Sequence, residues 1–151
     1  MKEKQVTEQF RKFKISLIRQ LGKKALFDSQ IDQVGKQLFG SKWLGVHPQD
    51  KFVLKPGYQI INTVTSEDKV GEHWVSLYCS GKTINVYDSF ARPTSELLKV
   101  LTKKAKQMKV RVVDSDRSDA EQRGSSEVCG VLSLAWLLCV KHYGIRAALK
   151  I

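Results

Sequence analysis

The chain has 151 residues, 42% of them hydrophobic, and a formal charge of +11, which suits one globular domain spanning residues 1–151 with a real core. The charged start Met1-Lys-Glu-Lys4 has no apolar stretch behind it, which argues against a secretory leader; the longest apolar run, 128–140, falls short of the about 20 residues needed to span a bilayer, so a soluble protein is expected. Three cysteines with no CxxC spacing argue against a disulfide framework and against a zinc site, and suit a reducing compartment.

Residues 5–21 read as an amphipathic helix, with Val6, Phe10, Phe13, Leu17 and Leu21 at helical spacing. Residues 1–24 also hold eight basic side chains against Glu3 and Glu8. A second helix is expected after Asp28-Ser29, a reasonable N-cap, with Ile31, Val34 and Leu38 on its apolar face. The stretch from Gly40 to Gly57 holds three glycines and two prolines and reads as irregular, with Trp43-Leu44 as a loop anchor. Strands are expected at Tyr58–Val64, Trp74–Cys79 and Thr83–Tyr87, the last two joined through the turn Ser80-Gly-Lys82. Thr94 or Ser95 should cap a helix running to about Met108, followed by a strand at Val110–Val113. That helix and its flank carry Lys99, Lys103, Lys104, Lys106, Lys109 and Arg111. The two basic groups point to a polyanion partner, with nucleic acid the first candidate, against the plainer reading of Lys-rich helices as solvated faces. A final helix from Cys129 closes the domain. The order gives an α+β fold with a small, mostly antiparallel sheet.

Cys129 opens the apolar run Val128–Val140, behind the polar loop Asp114–Glu127. A thiol in the first turn of a buried helix meets the partly positive helix terminus, which favours a thiolate. Cysteine-based acyl transfer also needs an imidazole, a group that orients it, and donors for the oxyanion. His73 opens one strand of the hairpin and Asp88 follows its partner, so the open end of the hairpin could bring them together, subject to strand register. Gln122, in the loop before Cys129, can donate a hydrogen bond from its amide where neighbouring Glu121 cannot. Cys79 and Cys139 read as structural, His47 and His142 have no partner pattern, and the task of Asn62 is not evident from the sequence.

The string Ile60-Ile-Asn-Thr63, Gly71-Glu-His-Trp74, Tyr87-Asp-Ser-Phe90, Gln122 and Cys129-Gly130 resembles the adenovirus-type maturation proteases and their wider clan of ubiquitin-like-protein (SUMO) proteases. Gly45-Val-His-Pro-Gln-Asp50 further resembles the virophage and DNA-transposon members. The likeness covers about residues 28–143. It implies a permuted relative of papain, in which the nucleophile comes last and sits at the N-terminus of a buried helix. By that likeness Cys129 is the nucleophile, His73 the general base, Asp88 its orienting acid and Gln122 an oxyanion donor. Trp74 is the substrate-binding wall of a narrow channel. The implied function is an endopeptidase that cleaves capsid precursors during particle maturation, a monomer without metal or small-molecule cofactor, with DNA as an activating polyanion. The implied setting is the virion and the cytoplasm or nucleus of a host cell. The adenovirus enzyme's disulfide-linked peptide activator has no counterpart, because no cysteine lies between Cys79 and Cys129. Removal of ubiquitin-like modifiers after Gly-Gly, acetyl transfer, and simple nucleic-acid binding are the competing expectations.

Overall fold

A computed structural model describes residues 3–66, 73–115 and 128–151. Its centre is a five-stranded sheet in simple sequential order: β1 (Trp43–Pro48), β2 (Gly57–Asn62), β3 (Trp74–Ser80), β4 (Thr83–Tyr87) and β5 (Arg111–Asp114). The two inner pairings, β2–β3 and β3–β4, are antiparallel, and the two outer ones, β1–β2 and β4–β5, are parallel. The sheet is therefore mixed, where the sequence led us to expect a mostly antiparallel one. The difference arises at the edges. β1 lies inside the stretch read as irregular, since Gly45 and Pro48 mask a short edge strand and the ladder is interrupted between Trp43 and Val46.

The helices are α1 (Glu3–Leu21), α2 (Asp28–Phe39), α3 (Thr94–Leu97), α4 (Lys99–Gln107), α5 (Cys129–Tyr143) and the short α6 (Ile145–Ala148). α6 follows the helix expected to close the domain, and Trp136 Nε1 donates to the Ala148 carbonyl across the connection at 2.9 Å. The single helix expected from residue 94 is broken at Leu98, which is buried, with extended φ and ψ near 65°. The break is stabilised from outside: the buried Gln49 side-chain oxygen accepts the Val100 and Leu101 N–H groups, serving as the N-cap that the chain lacks locally. α2 starts directly after Phe27, whose N–H donates to the Gln30 side chain at 2.8 Å, so the cap falls just before the Asp28-Ser29 position expected for it.

Two apolar clusters flank the sheet. One joins α1, α2, α5 and α6 around Trp136 and Tyr87, whose rings stack at 5.4 Å. The other joins Ile61, Val75, Leu77, Cys79, Ile84 and Val86 of the strands to Leu98, Leu101 and Ala105. α5 is buried continuously from Gly130 to Val140 and apolar on all sides, as a central core helix must be. Trp43 is a strand residue that stacks on Phe39 and donates to Asp32 at 2.8 Å; its ring lies where a Cβ on Gly35 would stand, 2.2 Å away, so only glycine fits on that face of α2.

Candidate active site

The polar stretch of sequence before Val128 ends where the apolar run begins, and α5 starts at Cys129, whose thiol is half-buried and not in a disulfide. The next residue, Gly130, lets this first turn approach closely. A Cβ there would stand 3.2 Å from Leu26, 3.3 Å from Ile31 and 3.4 Å from Trp74.

His73 immediately precedes β3 and is buried. Its Nε2 lies 2.5 Å from Asp88 Oδ1. β3 and β4 pair from Ser76↔Tyr87 to Ser80↔Thr83. Continuing that count places Phe90, not Asp88, opposite His73, and the two rings do meet, with centroids 5.2 Å apart. Asp88 reaches the imidazole because the chain leaves the ladder after Tyr87 in a tight turn, with the Ala91 N–H donating to the Asp88 carbonyl and Ala91 at φ 57°. That positive φ in a residue other than glycine is local strain, held by the bonds around it.

Asp88 is buried and fully engaged. Its carboxylate accepts the main-chain N–H groups of Phe90 and Arg92 at 3.3 and 3.0 Å and the Arg92 Nε at 2.9 Å. Burial, the largest influence, pushes its carboxyl up; the hydrogen bonds and positive charges of His73 and Arg92 outweigh it and hold the group down at about 2. Arg92, which the sequence reading missed, lies over the Phe90 ring at 4.9 Å. Its signal was present as an acid–base pair at i, i+4 in Asp88-Ser-Phe-Ala-Arg92, though the intervening loop is not helical.

With Nε2 committed to Asp88, the other ring nitrogen is left for the thiol, and His73 and Cys129 are hydrogen-bonded to each other. Burial works against charge on both: it lowers the imidazole and raises the thiol. At His73 the bonds to Asp88 and Cys129 prevail, and its pKa is raised. At Cys129 burial is again opposed, by the His73 hydrogen bond, the Trp74 and Gly130 main-chain N–H groups and the His73 charge, and the thiol is lowered. Both directions favour a thiolate–imidazolium pair. Such a pair can attack an electrophilic carbon and return a proton to the departing group.

Trp74 is half-buried, with its indole N–H donating to the Leu26 carbonyl at 3.2 Å, so the ring is held in place beside the first turn of α5. The expected oxyanion donor, Gln122, lies outside the described residues. Among the remaining candidates, Cys79 and Cys139 are buried, their thiols pushed up by burial to about 11 and about 12. His47 bonds the Leu44 carbonyl at 2.7 Å and the His142 ring stacks on Phe13. Asn62 receives the Val64 N–H at 3.0 Å, turning the chain out of β2. Of the second basic group, Lys104 is tied to the Asp50 carbonyl, while Lys99, Lys103, Lys106, Lys109 and Arg111 are exposed. Among the described residues no group of His, Cys, Asp and Glu is arranged to hold a metal ion, and no helix is long and apolar enough to cross a membrane. In comparisons with known proteins, the chain matches no family model and no curated protein.

Proposed function

We propose that this chain is a cysteine endopeptidase. The observation that carries the reading is the continuous relay Cys129–His73–Asp88–Arg92, in which a lowered thiol, a raised imidazole and an anchored carboxylate converge at one end of the β3–β4 hairpin. The Cys129 thiolate attacks the peptide carbonyl, the His73 imidazolium protonates the leaving amine, and the thioester that results is hydrolysed by water with His73 now acting as base. The Cys129 N–H at the start of α5 and the Gln122 amide supply the oxyanion donors. Trp74, braced against Leu26, forms one wall of the substrate channel and favours small residues such as glycine next to the cleaved bond.

The chain order His73, Asp88, Cys129 suits a permuted papain-like arrangement, and the resemblance to viral and mobile-element proteases makes capsid precursors the preferred substrates. DNA serves as the polyanion partner. Lys82 and Arg111 meet at the hairpin turn, where the Arg111 N–H donates to the Lys82 carbonyl. That end is one β3 length, about 20 Å, from His73. A polyanion bound there holds the enzyme near its substrate without touching the relay.

The test is cleavage of a quenched-fluorescence peptide set containing glycine at varied positions, by wild type and Cys129→Ala, with and without duplex DNA at low and high salt. Wild type should cleave and Cys129→Ala should not, with DNA stimulation fading as salt releases the bound polyanion. Cleavage that survives Cys129→Ala ends the thiol reading. Rapid turnover of a folded ubiquitin-like modifier ester, with the peptides untouched, transfers the site to deconjugation.

A further inference from the structure

The main chain of Trp74 occupies an unusual place in the sheet. The His73 carbonyl accepts from Thr63 of the chain leaving β2, so odd-numbered residues of this segment face β2 and even-numbered ones face β4. β4 pairs only from Ser76 onward, which leaves residue 74 beyond the last rung. Both of its main-chain polar groups turn to α5 instead. Its N–H points at the Cys129 sulfur, and its carbonyl accepts Ser133 Oγ at 3.2 Å. Ser76 completes the arrangement from the strand side, its Oγ donating to the Ser133 carbonyl at 2.8 Å.

Both serines are fully buried, and each interrupts an apolar segment: Val75-Ser76-Leu77 on β3, and Leu132-Ser133-Leu134 on α5. A buried hydroxyl is costly unless bonded. A helical serine ordinarily bonds the carbonyl four residues back, which here is that of Cys129. Ser133 instead bonds across to the strand. Apolar packing alone permits a helix to slide or roll on a sheet by a fraction of an ångström; two oppositely directed hydrogen bonds between one strand and one helix do not.

We infer that Ser133 and Ser76 are positioning residues, whose reciprocal hydrogen bonds fix the height and rotation of α5 on β3 and so set the Cys129 sulfur against the His73 ring. Ser133 stands one helical turn beyond Cys129, and its acceptor is the residue directly after His73. The clamp therefore joins the nucleophile's helix to the base's strand one helical turn behind the site. The inference rests on the reading of Cys129 and His73 as the reactive pair.

The experiment needs no substrate. Wild type, Ser133→Ala, Ser76→Ala and the double variant are alkylated with iodoacetamide between pH 5 and 9, each cysteine is followed by mass spectrometry, and thermal midpoints are recorded alongside. In wild type Cys129 should react at pH 6 well ahead of Cys79 and Cys139. In Ser133→Ala its rate at pH 6 should fall about tenfold and recover toward wild type near pH 9, because what is lost is thiolate, not access. Ser76→Ala should lose less, about threefold, and the double variant little more than Ser133→Ala, since both bonds serve one clamp. If a folded variant melts earlier but keeps the wild-type pH profile, the serines only hold the core together and the inference is overturned. Ser76→Ala decides the matter alone should Ser133→Ala not fold. A wild-type Cys129 no faster than Cys139 defeats the reading of the site and this inference with it; a fast wild type with unaltered variants defeats the inference alone.

Discussion

Cys129 opens α5, Cys139 lies inside the same helix and Cys79 lies on the strand beside it, yet the three thiols differ in what surrounds them. Burial raises every one of them. At Cys139 nothing opposes it and the thiol stands at about 12; at Cys79 a single weak contact from Gln59 leaves it at about 11. At Cys129 an imidazole and two main-chain N–H groups reverse the sign. A helix terminus alone does not explain this. Only the Gly130 N–H belongs to the helix; His73 and the Trp74 N–H come from the start of β3, another element altogether, and they reach the sulfur only because α5 lies in one register on the sheet. Reactivity here is a property of the helix–strand junction more than of the cysteine's place in the helix.

His73→Ala breaks that comparison most severely. It removes the largest influence lowering the Cys129 thiol and, in the proposed mechanism, the proton donor for the leaving group, so peptide cleavage should fall by about 10⁴-fold or more. Alkylation of Cys129 at pH 6 should drop toward the rates of Cys79 and Cys139. A variant that still alkylates rapidly at pH 6 assigns the lowered thiol to the helix end and the Trp74 N–H, and the imidazole then has no part in activating the sulfur.

The same contrast marks what the sequence could and could not disclose. Cys129 at the head of the last apolar run, and His73 and Asp88 at the open end of a hairpin, were legible because short-range patterns set them: a polar loop meeting an apolar run, and a Ser-Gly-Lys turn between two β-branched segments. The α+β class followed from element order. The parallel edges were not legible, since β1 is a short strand with glycine and proline in it, and its partner is chosen by tertiary packing. The split at Leu98 was hidden for a similar reason, because its cap is Gln49, far away in sequence. Arg92 escaped because an i, i+4 pair reads as a helical feature, whereas here it closes a loop. In sequence Ser76 and Ser133 are single polar residues inside apolar runs; only the crossing of their hydrogen bonds gives them meaning.

Arg92→Ala makes the gentlest cut in the relay and tests its far end. Asp88, held at about 2 when folded, against an ordinary value near 3.8, contributes stability that is complete above pH 4 and is lost as pH falls toward 2. His73 has the opposite sign: its raised pKa stabilises the fold below the ordinary histidine value, and that contribution disappears as pH rises through the folded value. Removing the Arg92 side chain takes two hydrogen bonds, from Nε and Nη2, and one positive charge from Asp88 while leaving the His73 contact and the Phe90 and Arg92 main-chain N–H groups. The acid unfolding midpoint, followed by circular dichroism, should therefore move to higher pH, and the alkaline side should stay where it is. Because the Arg92 side chain is 44% exposed, water already screens much of its charge, and cleavage should fall by less than about tenfold. A loss approaching that of His73→Ala, with no change in acid stability, contradicts a supporting role: the guanidinium must then meet the substrate itself, and the relay ends at Asp88.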